Sequence, residues 1–433
     1  MTHSSVAQSL KHQLDSMIRS LATRSESYTH QAQDFTRNRK LNFETIIRLL
    51  LAMGSQNLSN ELLTFFNFGL ETPTASAFTQ ARNKIKIEAF KALFYGTQTQ
   101  EISKKTFKGY HLYAHDGSDL ALPYLPSDPD THQIAGKAGN KISLIHLNAL
   151  YDLLNKSYVS VDFQTKKTLD ERASLCEMLY QNPLPENSIL LADRGYESFN
   201  VFEHLKQVNQ HFVIRVKDIK SNGFLYHLPL PESDCFDQII HFNLTRRQTK
   251  AIKNDPNSCF LSNNSKFDFL PIGSKECYSM SLRVVRIQLS PTHYECLVTN
   301  LDSFRFPPEA LKSLYHLRWG IETSFRELKY ALGLVHLHSK KPSLILQEIY
   351  ARLIMYNFSM RIALSVELEK KNRQHYYQIN FTQAIAICRQ YFRSDQFLLE
   401  PLLKRYILPV RPNRHDQRKF GFKGFPSFLY RVA

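Results

Sequence analysis

Between residues 108 and 217 short apolar runs alternate with single helical segments, and this order constrains the fold more than any other feature of the chain. "KGYHLYAHDGS" reads as a strand ending at Asp116, with Gly117 and Ser118 as its turn. "ISLIHLNALYDLL" and "SYVSVDFQT" follow as two strands around a turn at Asn155. "LDERASLCEMLYQN" is a helix with Asp170 and Glu171 in its first turn, where the helix dipole favours acids. "NSILLADRGYES" is an apolar strand ending at Asp193; the helix "SFNVFEHLKQV" and the strand "HFVIRVKD" come next. Three strands, a helix, a strand, a helix and a strand predict a mixed α/β core.

The flanking regions have other periods. Residues 1 to 105 look helical: "FETIIRLLLAMG" and "NELLTFFNFGL" carry apolar residues at helical spacing, and "TPTASAFTQARNKIKIEAFKALFYG" adds a capped segment with basic residues on one side. From 220 to 305 the stretches "QIIHFNL", "MSLRVVRIQL" and "YECLVTNL" alternate as strands do. Pro307 and Pro308 stop that block and open a long helix through Leu332, with further helices to about residue 400. The tail from Arg411 holds six Lys and Arg against one Asp. It is either a generic phosphate contact or a solvated end.

Lys and Arg total 55 against 39 Asp and Glu, a net charge of +16. Such an excess favours an acidic partner, nucleic acid above all, over a merely basic soluble protein. No apolar run reaches the ~18 residues of a membrane span, and the N-terminus lacks a signal pattern. Cysteines 176, 235, 259, 277, 296 and 388 are scattered, with neither zinc spacing nor a disulfide framework, as in a reducing cytosol.

Asp116 and Asp193 each close an apolar strand, where functional groups gather in α/β sheets. A single strand-end Asp is usually a turn residue. "YHLRWGIETSFRELK", residues 315 to 329, supplies a third acid. At ~100° per residue, Tyr315, Arg318, Glu322 and Lys329 share roughly a 60° arc, with Arg326 nearby. Leu314, Leu317, Ile321, Phe325, Leu328 and Leu332 form the adjacent core stripe. Glu327 falls well off the arc and reads as solvated. An Arg318–Glu322 ion pair one turn apart explains the helix alone, but not the two Asp residues. Three converging carboxylates repel unless cations bind, and oxygen-only ligands suit Mg²⁺ or Mn²⁺. Two such ions can run phosphodiester chemistry, with the bases holding phosphates.

These residues resemble the signature of insertion-sequence DDE transposases of the insertion-sequence-four family: Tyr315, Arg318, Glu322 and Lys329 keep its spacings. "HDGSD" at Asp116, "ADRGY" at Asp193 and "SAFTQARNKI" near residue 80 are similar to its other motifs. The resemblance implies an α/β fold: a ribonuclease-H-like catalytic core (106–219 and 306–345) with a β-rich insertion (220–305). A helical N-terminal domain (1–105), a candidate DNA reader, and a helical C-terminal region with the basic tail (346–433) complete it. It implies Asp116, Asp193 and Glu322 as catalytic metal ligands for two Mg²⁺ or Mn²⁺ ions. Tyr315, Arg318 and Lys329 would grip DNA, with Arg326 and Arg194 as further contacts. Trp319 is open between packing and base stacking, Arg194 between DNA and a neighbouring carboxylate. His115 points away from Asp116 on an alternating strand and is structural.

The implied activity is cut-and-paste transposition on double-stranded DNA: hydrolysis at terminal inverted repeats, a hairpin, then strand transfer to target DNA. The family implies a homodimer bridging two ends, in the bacterial cytoplasm with the nucleoid and not on a membrane. The alternatives are a metal-dependent DNA nuclease that does not join, and a transposase-derived DNA-binding protein without catalysis.

Overall fold

The α/β pattern of residues 108–217 becomes the centre of one large sheet. The computed structural model describes residues 3–37, 39–99, 105–122, 124–135, 140–221, 223–369, 375–394 and 398–410; the basic tail lies outside them. Five helices come first: α1 (His3–Thr23), α2 (Phe43–Ala52), α3 (Leu58–Phe65), α4 (Ala75–Arg82) and α5 (Ile87–Gly96). Then follow β1 (His111–Leu122), β2 (His132–Ala135), β3 (Asn140–Asp152), β4 (Ser157–Gln164), α6 (Glu171–Gln181), β5 (Ser188–Ala192), α7 (Phe199–Gln207) and β6 (His211–Val216). The β-rich stretch supplies β7 (Phe236–Thr245), α8 (Lys250–Asn254), β8 (Ser258–Phe260), β9 (Cys277–Ser290) and β10 (His293–Thr299). After it come α9 (Pro308–His316), α10 (Trp319–Arg326), α11 (Pro342–Ser365), β11 (Tyr376–Ile379), α12 (Phe381–Arg393), α13 (Leu399–Arg405) and β12 (Ile407–Val410).

The sheet order is β2-β3-β1-β5-β6-β10-β9-β7-β8, with β4 beside β2 on the outer side of β3. β4, β3 and β1 pair antiparallel, while β5 and β6 run parallel to β1. The two parallel strands each follow a helix, which is the crossover that parallel pairing requires. The β-rich stretch extends this same sheet, because β10 pairs with β6 and leads on to β9 and β7.

β1 does not end at Asp116 as the sequence suggests. Its parallel partner β5 stops pairing at Ala114, but β3 carries the ladder on to Leu122. Gly117 and Ser118 are therefore strand residues. β3 keeps pairing with them, and the Gly117 N–H goes to the Asp116 carboxylate, so no turn is needed.

Alternation along β1 sends Leu112 and Ala114 to one face and Tyr113 to the other. The first face packs under the helices before β1 and after β10, in one core that includes Ile46, Phe90, Ile321 and Met355. The second face is covered by α6 and α7, through Leu175, Leu179, Phe202 and Leu205. α11 is the axis of the first core. It is buried on nearly every side, which is how a helix behaves when other elements surround it. Among the described residues no helix is long and apolar enough to cross a membrane. The buried charged and amide groups of α11 are paired, as burial demands, although the Ser359 hydroxyl has no partner among the described residues. Glu348 meets Arg82 of α4 at 2.9 Å and His338 at 3.1 Å. Arg352 donates to the carbonyls of Met53 and Gly54, capping the end of α2. Asn357 takes the place of a strand partner for Tyr158 of β4, with bonds of 2.8 Å to its N–H and its carbonyl.

The single helix expected from Pro308 to Leu332 is three pieces. After α9 the bonds tighten to a three-residue step, from Leu317 to Leu314, Arg318 to Tyr315 and Gly320 to Leu317. At Gly320 the helix passes so close to the β3–β4 hairpin that a Cβ would stand 2.9 Å from Leu153. Past α10 the helix widens into a π-turn, Glu327–Ala331. Such turns are rare and recur near functional sites.

Candidate active site

The parallel register explains how two Asp residues meet. Ala114 stands opposite Leu191. Two residues further along each strand are Asp116 and Asp193, so both carboxylates emerge at one level, on one face, just past the end of the parallel pairing. The Asp116 carboxylate accepts from its neighbour Gly117 N–H at 2.9 Å. That of Asp193 caps the turn after β5 by accepting from Gly195 N–H at 2.7 Å. The face is the one covered by α10, which brings Glu322 over β1.

Arg318 lies between the acids. Its guanidinium donates to Glu322 at 2.5 Å and stands 3.5 Å from Asp116. The residue is 5% exposed. Its Nε and Nη1 have no hydrogen-bond partner among the described residues, although a buried guanidinium N–H is costly to leave unmade. The one-turn ion pair with Glu322 is thus real, and it is part of a larger cluster. Burial pushes the Asp116 carboxyl up to about 7; the charges of Asp193 and Glu322 push the same way, against the Gly117 N–H and Arg318. The cluster carries more negative charge than its arginine neutralises.

This donor set fits a hard, oxygen-seeking cation in charge and chemistry. Among the described residues, however, no group of three or more acidic, His or Cys side chains stands close enough together to hold a metal ion. Arg318 is lodged between two of the three acids instead.

The other signature residues gather at the same edge. Tyr315 is 5% exposed, and burial raises its hydroxyl pKa against the pull of Arg318. Lys329 donates to the backbone carbonyl of Asp119 at 2.8 Å; burial lowers its pKa, and Asp119 opposes that. Trp319 is 41% exposed, with the Arg318 guanidinium 4.9 Å from its ring centre. Arg194 and Arg326 are exposed. His115 lies on the other face, edge-on to Tyr196 at 5.1 Å; burial and the charge of His146 lower its pKa to about 3, so it is neutral.

Sequence reasoning missed two features. Glu327 is not solvated: its carboxylate accepts from Tyr356 at 2.8 Å, and burial raises its pKa. On the back of β1, His146 bridges Asp119 at 2.7 Å and Glu171 at 2.9 Å. Burial alone would lower the His146 pKa, but these two carboxylates outweigh it and raise it to about 9. His146 lies over Gly117, where a Cβ would come 2.1 Å from its Nε2. Only glycine fits there, which accounts for the Gly after Asp116. The signal was the strand register, since Asp119 pairs directly with His146.

Three comparisons with known proteins each find similarity. The transposase DDE domain family matches residues 108–358, more than half of the chain. The chain is similar to the transposase InsG for insertion sequence element IS4 of Escherichia coli strain K12, at 24% identity over 293 residues. That match covers 65% of this chain and 59% of the relative, so the chain spans about three fifths of the relative's length. Among solved structures it is similar to a piggyBac transposase synaptic complex with hairpin DNA. The TM-score is 0.46 and the identity 11%, over 90% of this chain and 78% of that one.

Proposed function

Because the chain belongs to the transposase DDE-domain family, of the insertion-sequence-four type, we propose that it cuts DNA at the ends of an insertion sequence and joins those ends to target DNA. The observation that carries this reading is the buried Arg318 set between Asp116 and Glu322, with Asp193 adding its charge to Asp116. The strand order supports reading β4-β3-β1-β5-β6 as a ribonuclease-H-like core.

Asp116, Asp193 and Glu322 would hold Mg²⁺ or Mn²⁺. When bound, two such ions would activate the attacking hydroxyl and stabilise the leaving oxygen. The chain's own residues orient the substrate. Arg318 supplies positive charge to the bound phosphate from its place between Asp116 and Glu322, while Lys329 acts as a point charge. Tyr315 donates its hydroxyl from a fixed, buried position. Trp319 presents a ring face on which a base can stack, and Arg194 and Arg326 meet phosphates further along. Water attacks the phosphorus, the bond to the departing strand breaks, and a 3′-hydroxyl is left. That hydroxyl attacks the opposite strand to give a hairpin; after reopening it attacks target DNA. Holding two ends together calls for two copies of the chain, acting beside the nucleoid in the cytoplasm.

The test incubates purified protein with Mg²⁺ and DNA carrying the element's inverted repeats. Strand-transfer products support transposition. Cleavage without joining supports a nuclease instead, and binding with no products under any divalent metal overturns both.

A further inference from the structure

One half-buried carboxylate has no part in this chemistry. Glu327 opens the π-turn five residues after Glu322, at the far end of a chain of hydroxyls. Tyr356 of α11 donates to Glu327 at 2.8 Å, which uses its only proton. Its contact with Tyr151 of β3, at 2.9 Å, must therefore run with Tyr151 as donor. One turn earlier, Ser324 donates to the Ile321 carbonyl at 2.7 Å. The hydroxyl of Tyr158 on β4, 2.9 Å away, must then donate to Ser324. Tyr151, Tyr158 and Tyr356 are each 1% exposed or less, and their rings pack against one another at 5.0 to 6.2 Å.

Two hydroxyl chains therefore fasten the segment after Glu322 to the sheet and to α11. They grip it at Ser324 and Glu327, between Glu322 and Lys329. Glu327 continues α10 with its N–H bonded to Thr323, and the helix widens only after the Glu327 carboxylate has met Tyr356. Apolar packing alone does not fix a helix's rotation to the fraction of an ångström that a reacting centre needs, whereas directional bonds do.

We propose that Glu327, Tyr356 and Tyr151 are positioning residues, which hold α10 in the rotation that keeps Glu322 beside Asp116 and Lys329 at Asp119. This rests on the transposase reading of the site. Positioning acts on geometry, so its loss raises the metal concentration needed and slows cleavage while leaving DNA affinity alone.

The experiment compares Tyr356→Phe, Glu327→Leu and Glu327→Gln with the wild type. Two things are measured: amide hydrogen exchange over residues 319–331 in the free protein, and end cleavage across a Mg²⁺ titration. Tyr356→Phe and Glu327→Leu should speed exchange in that segment and slow cleavage by roughly 10- to 100-fold. They should also raise the half-maximal Mg²⁺ concentration, with unchanged binding of end DNA. Glu327→Gln keeps a carbonyl acceptor for Tyr356 and should restore both readouts, which marks positioning and not loss of fold. Wild-type exchange in Tyr356→Phe and Glu327→Leu overturns the proposal, as does a Glu327→Gln variant no better than Glu327→Leu. If the wild type cuts no DNA, the transposase reading fails, and the exchange data still decide whether these bonds fasten α10.

Discussion

Asp116 and Glu348 are both carboxylates beside an arginine, and their environments drive them in opposite directions. Burial pushes both pKa values up. At Glu348 the Arg82 guanidinium and His338 overturn that push and hold the carboxyl at about 2. At Asp116 the neighbouring Asp193 and Glu322 add to the push, and it ends near 7. Arg82 spends its donors on Glu348, Gln347 and the Leu344 carbonyl; Arg318 Nε makes no hydrogen bond and Nη1 only a 3.5 Å ion pair with Asp116. The first cluster is closed and ties α4 to α11. The second is electrostatically incomplete and sits where the parallel strands end. An incomplete cluster costs the free fold stability and is a mark of function.

The contrast can be broken first at the site. Asp116→Asn and Asp193→Asn should each lower end cleavage by on the order of 10³-fold or more. Removing a repelled charge should leave the melting temperature equal to the wild type or higher. A large drop in melting temperature would place these acids with Glu348 as structural. Glu348→Ala should do the reverse and cost about 3–5 kcal/mol in urea unfolding, because it leaves Arg82 buried and unpaired. A cost within error would mean that Arg82 finds water.

Acid sharpens the same comparison. The Glu348 pKa is depressed in the fold, so its stabilisation is complete above the ordinary carboxylate value and is lost as pH falls through about 2. Between those limits the wild type should lose on the order of 3 kcal/mol from this group, and Glu348→Gln should lack that part of the slope. The smallest effect is alkaline. The His146 pKa is raised to about 9, so its contribution is full below pH 6.5 and fades as pH rises through 9. Its partners Asp119 and Glu171 are 58% and 37% exposed. Allowing for solvent screening, roughly 1 kcal/mol should be at stake. A His146→Gln variant with the wild-type alkaline slope would contradict the bridge.

Much of the site was legible because its residues announce themselves locally. Asp116 and Asp193 follow apolar runs in which few acids are tolerated, and Tyr315, Arg318, Glu322 and Lys329 keep one helical arc. The arc held although the helix did not: it tightens at Leu317 and widens at Glu327. A wheel put Glu327 in solvent because it cannot show that Tyr356 of α11 packs against that side of the helix. The extension of β1 past Asp116 depends on β3, whose register no single segment specifies. His146 looked like any lone strand histidine until Asp119 and Glu171 were brought to it. The pairing of Arg82 with Glu348 links residues 266 apart in sequence, and nothing near either residue signals the other. Local chemistry was readable; pairings set by the tertiary fold were not.

The central claim is that Glu322 completes a metal-dependent cutting site with Asp116 and Asp193. It is tested most directly by single-turnover cleavage of end-bearing DNA over a Mg²⁺ titration, with wild type and Glu322→Gln both saturated with DNA. The wild type should cleave with a rate that rises and saturates with Mg²⁺, and Glu322→Gln should bind the same DNA and yield no product at any Mg²⁺ concentration. Cleavage by Glu322→Gln at the wild-type rate would contradict the assignment.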